Sequence, residues 1–382
     1  MASFSFHTTP RLVAEDGASN RLGELLSGLG ARHAFIVTDP CLASSGLLDE
    51  ALASLGPAGV ALTLFDQVQP DPPEASVLAA TAEARRAGAD AVVGLGGGSA
   101  MDTAKLVALL AATDQRIEDI YGFNLARGPR LTLVQVPTTA GTGSEVTPIS
   151  ILTTPDDQKK GVVSDLLYPD LAVLDATLTL GLPPRATAMA GVDAMVHAVE
   201  AYTTRHRKNP LSDALAVRAL AMLSGNIRRV VEDGSDLEAR RAMLQGSLLA
   251  GMAFANAPVA AVHALAYPLG GLFHVPHGLS NALVFSEVAA FNLSQANTLY
   301  GELAALMPDD LTGRRHDGEG FVTAVSSLVS QMPMEQRLSE VGVTQADLDR
   351  LATDAMKVTR LLVNNPREVV LEDARAIYAA VL

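Results

Sequence analysis

An acidic residue and a histidine stand four positions apart in an apolar stretch of the chain. Asp193 and His197 lie within Met-Ala-Gly-Val-Asp-Ala-Met-Val-His-Ala-Val-Glu, residues 189–200. On a helix this spacing places a carboxylate and an imidazole on one face, one turn apart. Taken alone, the pair is better explained as a salt bridge or a hydrogen-bonded core histidine than as a metal site.

Three of the eight histidines fall within residues 262–278, and their presence favours a metal site over a salt bridge. His263, His274 and His277 lie there in a mostly apolar segment, where unpaired polar side chains are costly. One carboxylate and several neutral imidazoles suit Zn(II) or Fe(II), whereas Mg(II) and Ca(II) prefer oxygen ligands. The sequence therefore indicates a site for one divalent metal.

Three consecutive glycines follow an apolar run. Residues 90–105 are Asp-Ala-Val-Val-Gly-Leu-Gly-Gly-Gly-Ser-Ala-Met-Asp-Thr-Ala-Lys, which predicts a buried strand, a glycine turn and a helix with Ser99 as its N-cap and Asp102 three residues on. Glycine lets backbone amides approach an anion, and a helix N-terminus attracts negative charge. We interpret the turn as a pyrophosphate site; a plain strand-to-helix turn is the alternative. Gly94, Gly96 and Ser99 depart from the usual dinucleotide fingerprint.

Two further polar features follow predicted strands. Residues 137–145, Pro-Thr-Thr-Ala-Gly-Thr-Gly-Ser-Glu, come after the strand ending at Val136, and Asp39 follows the strand at 34–38. Open α/β sheets bind ligands at the carboxyl ends of their strands, where a carboxylate binds a ribose diol and repels a 2′-phosphate. The polar segment suits a cofactor or an ordinary loop equally. Asp39 alone is better explained as a turn residue, but as a ribose ligand it favours NAD over NADP.

Composition restricts the class of protein. The formal net charge of −14 argues against nucleic acid and anionic membrane as partners, which leaves a small molecule. Cys41 is the only cysteine, so an intrachain disulfide, a thiolate zinc site and an iron–sulfur cluster are excluded. The first ten residues do not resemble a signal peptide, and no stretch reaches the roughly 20 apolar residues that cross a bilayer. We expect a cytoplasmic protein.

The elements that position these residues differ between the two halves of the chain. Strands predicted at 34–38, 61–65, 91–95 and 131–136 alternate with helices such as 21–29 and 74–87, which is typical of a doubly wound, mostly parallel sheet. A turn-rich segment at 177–184 ends this pattern. Helices are then predicted at 186–202, 210–231, 237–255 and 260–269, with more after 287. We therefore predict an NAD-binding α/β domain at 1–181 and an all-helical metal-binding domain at 182–382.

These motifs together resemble the iron-containing, or group III, alcohol dehydrogenases. The resemblance covers nearly the whole chain, in order: Gly96-Gly-Gly-Ser99, Pro137-Thr-Thr-Ala-Gly-Thr-Gly-Ser-Glu145, Gly191-Val-Asp-Ala-Met-Val-His197 and Val275-Pro-His-Gly278. It implies that one divalent metal, Fe(II) or alternatively Zn(II), is bound by Asp193, His197, His263 and His277, the last two being 14 residues apart. It also implies an active site in a cleft between the domains, with NAD contacted by Asp39, Asp71, Gly97, Gly98, Ser99, Thr138, Thr139, Thr147, Lys159 and Leu178.

The chain departs from the family pattern near the reacting atoms. Many members have a histidine four residues after the first of the two late ligands, and it is credited with proton relay; here that residue is Tyr267. Tyr267 and His274 are the candidates for a catalytic side chain, and direct release of the proton to water is the alternative. Asp71 stands where asparagine is common, and Ile149 replaces a polar or aromatic neighbour of the cofactor in some members.

The resulting expectation is an NAD- and metal-dependent dehydrogenase that interconverts an alcohol and an aldehyde or ketone, as a homodimer or higher homo-oligomer. A relative of maleylacetate reductase or of hydroxyacid–oxoacid transhydrogenase, acting on a hydroxy or keto acid, is the alternative among enzymes. An arginine in the cleft would favour it. A catalytically silent metal- or NAD-binding protein is the alternative of another class.

Overall fold

The computed structural model describes residues 3–156 and 158–382. They form two compact units. The α/β unit consists of Thr8–Thr139 and Gly143–Leu180, and the helical unit consists of Gly181–Leu382, Ala140–Thr142 and the N-terminal segment up to His7.

The α/β unit contains nine strands and five α-helices in its described residues. The strands are β1 (Leu12–Ala14), β2 (His33–Val37), β3 (Ala61–Phe65), β4 (Ala91–Gly96), β5 (Gly122–Phe123), β6 (Thr132–Pro137), β7 (Ile149–Thr153), β8 (Lys159–Val163) and β9 (Leu171–Leu174). The helices are α1 (Leu22–Gly28), α2 (Pro40–Ser44), α3 (Asp49–Ala53), α4 (Glu74–Ala87) and α5 (Gly98–Ala111). Six strands form a parallel sheet in the order β1-β9-β6-β4-β2-β3.

Both faces of this sheet are buried, because successive side chains of each strand enter different cores. Ile36 of β2 packs in a cluster that includes Leu22 and Leu26 of α1. The preceding residue, Phe35, packs in a second cluster with Ala104 and other residues of α4 and α5. The predicted doubly wound, mostly parallel fold is confirmed.

A smaller sheet accompanies the main one. Its order is β5-β8-β7, and β7 and β8 are antiparallel, with Ile151 opposite Gly161. None of these three strands was predicted, nor were the short β1 and β9 of the main sheet. An apolar run is present only in β9, Leu-Ala-Val-Leu, whereas β1 and β5 are very short and polar residues interrupt β7 and β8.

The helical unit has no strand in its described residues. Its helices are α6 (Pro184–Thr203), α7 (Pro210–Glu232), α8 (Leu237–Asn256), α9 (Ala261–Phe273), α10 (His277–Ala304), α11 (Asp309–Thr312), α12 (Gly318–Ser330), α13 (Leu348–Ala355), α14 (Thr359–Leu362) and α15 (Leu371–Ala380). Helix α6 packs against α7, α8 and α10. At Gly191 a Cβ would lie 2.7 Å from Met243 and 2.8 Å from Ile227, so a larger residue would separate these helices.

No single helix in the described residues is long and apolar enough to cross a membrane. The pair α8 and α9 passes the same test of length and composition when taken together, but it is bent by 103°.

Candidate metal centre and nucleotide site

Four side chains of the helical unit converge at one point. Asp193, His197, His263 and His277 each offer one ligand atom, and these atoms all lie within 4.8 Å of one another. Helix α6 supplies the first two, α9 supplies His263, and His277 is the first residue of α10. Three of the four residues are buried, whereas the His277 side chain is 41% exposed. We call these residues the four-residue cluster.

A close helix contact places His277 in this group. A Cβ on Gly278 would lie 2.5 Å from the carbonyl oxygen of Met189, so only glycine lets the start of α10 lie against α6. Nε2 of His277 consequently lies 3.6 Å from Oδ1 of Asp193. Steric contact with α6 therefore explains why the Pro-His-Gly motif has glycine at this position.

The buried histidines are oriented through their Nδ1 atoms. Nδ1 of His263 lies 2.7 Å from Oε2 of Glu200, and Nδ1 of His197 lies 3.3 Å from the carbonyl oxygen of Gly141. Both partners are acceptors, so each Nδ1 carries the proton and each Nε2 keeps a lone pair. Nε2 of His263 lies 3.9 Å from Oδ1 of Asp193. This arrangement is typical of metal-binding histidines.

Burial and neighbouring side chains together set the protonation states of His197 and Asp193. It lowers the pKa of His197 to about 3, so this imidazole is neutral at physiological pH. For Asp193, burial acts to raise the pKa, but the neighbouring histidines and a 2.6 Å hydrogen bond from Asn281 lower it more. An ionised carboxylate surrounded by imidazoles is a donor set that fits Fe(II) or Zn(II).

Tyr267 lies next to the four-residue cluster. Its ring is 6.4 Å from the His277 ring, centroid to centroid, and its hydroxyl accepts a hydrogen bond from Arg360 at 3.3 Å. His274 ends α9 in the left-handed conformation, with φ 54°, and is exposed. Among the described residues, no hydrogen bond or ion pair joins the His274 ring to the cluster. The catalytic roles considered for Tyr267 and His274 stay predictions.

The glycine turn lies at the carboxyl end of β4, but the predicted cap is wrong. Helix α5 begins at Gly98 with Gly97 as its N-cap, so Ser99 lies within the first turn. Asp102 does not complete a capping box; it accepts hydrogen bonds from Ser144 Oγ at 2.7 Å and from the Ile151 backbone at 2.8 Å. Three successive glycines let the helix start earlier than the serine rule predicts.

Neighbouring strand ends bring several of the predicted cofactor-binding residues together within the α/β unit. Gly96 pairs with Pro137 across β4 and β6, and the Thr138 amide donates to the Gly96 carbonyl at 3.0 Å. A Cβ on Gly97 would lie 3.7 Å from the Thr139 side chain. The structure thus brings Gly97, with Gly98 and Ser99 after it, beside Thr138 and Thr139.

Asp39 follows β2, which is the next strand in the sheet. Its Oδ1 accepts hydrogen bonds from the backbone amides of Cys41 and Leu42, both at 3.0 Å, and caps α2. The turn interpretation is therefore correct, and it is compatible with the ribose interpretation because Oδ2 is not used by the cap.

The other residues predicted to contact the cofactor each have different neighbours within the α/β unit. Lys159 and Asp71 form an ion pair at 2.8 Å, and Asp71 has a positive φ of 51°, a conformation that asparagine and aspartate tolerate. The Thr147 hydroxyl accepts a hydrogen bond at 3.1 Å from the fully buried ammonium group of Lys105. Leu178 is buried in the hydrophobic core of the α/β unit.

Four residues of these sites were not predicted. Glu200, Asn281 and Arg360 contact the four-residue cluster or Tyr267, and Lys105 holds the loop after β6 through Ser144 and Thr147. One signal was available, since Glu200 is a carboxylate on the apolar helix that carries Asp193 and His197.

Comparison with known proteins gives matches over almost the whole chain. A family model described as iron-containing alcohol dehydrogenase matches residues 9–176, and one described as the C-terminal part of the Fe-containing alcohol dehydrogenase family matches residues 187–382. These two matches correspond to the α/β part and the helical part of the chain.

Individual relatives agree with the family models. The chain is 39% identical to long-chain-alcohol dehydrogenase 1 of Geobacillus thermodenitrificans, covering 95% of this chain and 93% of the relative. It is 38% identical to the sulfoacetaldehyde reductase of Bilophila wadsworthia, over 99% of each. A crystal structure of 1,3-propanediol oxidoreductase matches with a TM-score of 0.95 and 34% identity over 100% of both chains. The crystal structure of the sulfoacetaldehyde reductase of Bifidobacterium kashiwanohense in complex with NAD+ matches with a TM-score of 0.90 and 26% identity, covering 100% of this chain and 99% of that chain. The chain therefore belongs to the iron-containing alcohol dehydrogenase family.

Proposed function

We propose that this oxidoreductase interconverts an alcohol and its aldehyde or ketone, with NAD as hydride carrier and with one divalent metal bound by Asp193, His197, His263 and His277. The observation behind the proposal is the convergence of these ligand atoms within 4.8 Å while the Nδ1 atoms of two histidines are held by Glu200 and Gly141. A purely structural cluster of histidines has no need for such an arrangement of lone pairs.

Each side chain of the centre has a separate role in this proposal. When bound, a divalent cation supplies a Lewis acid that favours ionisation of an alcohol hydroxyl and polarises a carbonyl. Asp193 offsets part of the positive charge, and Glu200 fixes the ring of His263. Phe254 stacks on the His197 ring at 4.3 Å between centroids and shields it from water. His277 is the most exposed of the four residues, so we expect substrate to approach the centre from its side.

The α/β unit supplies the site that we propose for NAD. The amides at Gly97 and Gly98 begin α5, where the partial positive charge of the helix favours a pyrophosphate. Thr138 and Thr139 offer hydroxyls beside this turn, and the free oxygen of Asp39 suits a ribose diol. The reaction is balanced by transfer of two electrons and a hydrogen nucleus from the alcohol carbon to NAD+, with the hydroxyl proton released to solvent.

The alternative functions receive less support. The relatives are alcohol and aldehyde oxidoreductases, which does not favour the reactions of a maleylacetate reductase or a hydroxyacid–oxoacid transhydrogenase. Arg360, which contacts Tyr267, bears on the charge of the alcohol or aldehyde and not on the type of reaction. A catalytically silent protein is disfavoured because the donor set and the glycine turn are both intact. We further propose Fe(II) as the native metal, because both matching family models describe iron-containing alcohol dehydrogenases, with Zn(II) as the competitor, because the donor set suits both ions.

One experiment tests the metal and the reaction together. The protein is stripped of metal, reloaded anaerobically with Fe(II) or with Zn(II), and assayed for NADH formation with short alcohols and diols. His277→Ala is expected to lose bound metal and activity together, because three ligands leave the ion under-coordinated. His316→Ala is the matched control, since His316 is exposed and contacts Asp309. Stoichiometric metal and normal turnover in His277→Ala would contradict the assignment.

A further inference from the structure

An exposed arginine lies beside the tyrosine that neighbours the four-residue cluster. Arg360 of α14 donates a hydrogen bond to the Tyr267 hydroxyl at 3.3 Å, and its Cζ lies 5.9 Å from the centroid of the Tyr267 ring. The Tyr267 ring lies 6.4 Å from the ring of His277, which is the most exposed member of the cluster. His277, Tyr267 and Arg360 thus form an accessible row that leads away from the cluster within the helical unit.

The charge of Arg360 is not neutralised by a neighbouring acid. In residues 3–156 and 158–382, no carboxylate oxygen lies within 4.0 Å of its guanidinium nitrogens. Arg375, on α15, instead contacts Asp349 at 2.5 Å. The Tyr267 hydroxyl accepts one hydrogen bond from Arg360 but carries no charge that would balance it. The other guanidinium N–H groups and the phenolic O–H remain as donors for a ligand.

We propose that Arg360 binds an anionic group of the substrate. The preferred alcohols are then short chains with a hydroxyl at one end and a carboxylate or sulfonate at the other, and the preferred aldehydes are the matching aldehyde acids. This inference rests on the proposed function, because it assumes that the reacting oxygen binds at the four-residue cluster. A guanidinium suits such anions because its planar N–H groups match the two oxygens of the head group.

The overall charge of the protein makes a local cation necessary for such a substrate. With a formal net charge of −14, the protein repels small anions at long range. An anionic substrate is retained only where a nearby positive group outweighs that repulsion. A neutral alcohol of the same length gains little, since Arg360 stays hydrated when it binds. The difference between anionic and neutral substrates is therefore expected in KM more than in kcat.

A comparison of charged and neutral substrates of similar length tests the proposal. NADH formation is measured with 4-hydroxybutyrate, 3-hydroxypropane-1-sulfonate and 1,4-butanediol for the wild type, Arg360→Gln, Arg360→Lys and the control Arg350→Gln. We expect the wild type to prefer the anions and Arg360→Gln to lower the anion-to-diol ratio of kcat/KM about tenfold or more. Arg360→Lys retains part of the preference. Arg350→Gln keeps the wild-type ratio, because it removes the same charge from another exposed position.

The outcomes separate this inference from the proposed function. Preference for one anion over the other supports the role of Arg360 and identifies the head group. Oxidation of 1,4-butanediol without any preference for the anions overturns the inference and leaves the proposed function standing. An equal decrease for all three substrates in Arg360→Gln also overturns it. A correctly folded, metal-loaded protein that oxidises none of them contradicts the proposed function itself. Added salt should weaken the preference, since it screens an exposed charge.

Discussion

The carboxylate of Glu200 accepts a hydrogen bond from Nδ1 of His263 at 2.7 Å, and both side chains are buried. The same carboxylate accepts hydrogen bonds from the backbone amides of Ala260 at 2.9 Å and Val262 at 2.7 Å. Helix α9 begins at Ala261 and has no cap from its own N-cap side chain. One carboxylate therefore caps the helix and fixes the tautomer of a candidate metal ligand.

Glu200→Gln is expected to weaken metal binding about 10- to 100-fold. Each orientation of the amide places its NH2 group against a backbone or ring N–H, so at least one of the three hydrogen bonds is lost. Metal affinity is measured by competition with a chelator, and the Co(II) absorption spectrum reports the ligand geometry. Glu238→Gln, an exposed change on α8, is the control. Wild-type affinity and spectrum in Glu200→Gln would show that Glu200 only caps the helix.

Asp39→Gly is expected to narrow the difference between NAD and NADP affinity. It removes the charge that repels a 2′-phosphate, and it also removes the side-chain cap of α2, which for a change to glycine costs only about a few tenths of a kcal/mol of stability. Asp39→Asn separates the two effects, because the amide oxygen keeps the cap while the charge is lost. Dissociation constants for both cofactors are measured by fluorescence. If the wild type binds NADP as tightly as NAD, Asp39 does not discriminate between them.

Glu145 gives the α/β unit a measurable pH dependence. The residue is 1% exposed, its Oε1 has no hydrogen-bond partner among the described residues, and burial raises its pKa to about 7 from 4.5. A raised pKa means that the folded state holds the proton more tightly. The stabilisation is complete below pH 4.5 and is lost as the pH rises to 7.

Glu145→Gln should therefore become more stable relative to the wild type between pH 4.5 and 7, by about 3 kcal/mol in total. Denaturant unfolding at a series of pH values gives this difference. Burial lowers the pKa of Lys105 to about 8, which affects stability only above that pH, so the two windows do not overlap. A difference that does not vary with pH would mean that Glu145 is ionised throughout.

The sequence predicts the central strands well because β2 and β4 consist mostly of apolar residues and β6 is interrupted only by Gln135 after Thr132, and it predicts α6 to α9 from long helical patterns. It does not predict β8, since Lys159, Lys160 and Gly161 leave no apolar alternation there, and β7 has only three apolar residues among its five. The roles of Glu200 and Arg360 depend on partners 63 and 93 residues away in the chain. Such contacts arise from helix packing, which local periodicity does not encode.

Tyr267→Phe tests whether the tyrosine takes part in proton transfer. Phenols are poor bases at neutral pH, whereas imidazoles accept protons there, so a tyrosine does not substitute for a relay histidine. We expect the proton to leave through water and Tyr267 to shape the substrate side of the centre together with Arg360. The phenylalanine ring still packs near His277, and only the hydroxyl contact at 3.3 Å is removed. With 1,4-butanediol, kcat should therefore fall less than about tenfold, which corresponds to under about 1.4 kcal/mol, with a nearly unchanged pH profile. Tyr267→His should restore the family pattern without a large gain. A decrease of two decades or more in Tyr267→Phe, with metal content and NAD affinity intact, would show that the hydroxyl is chemically essential and that release through water is wrong.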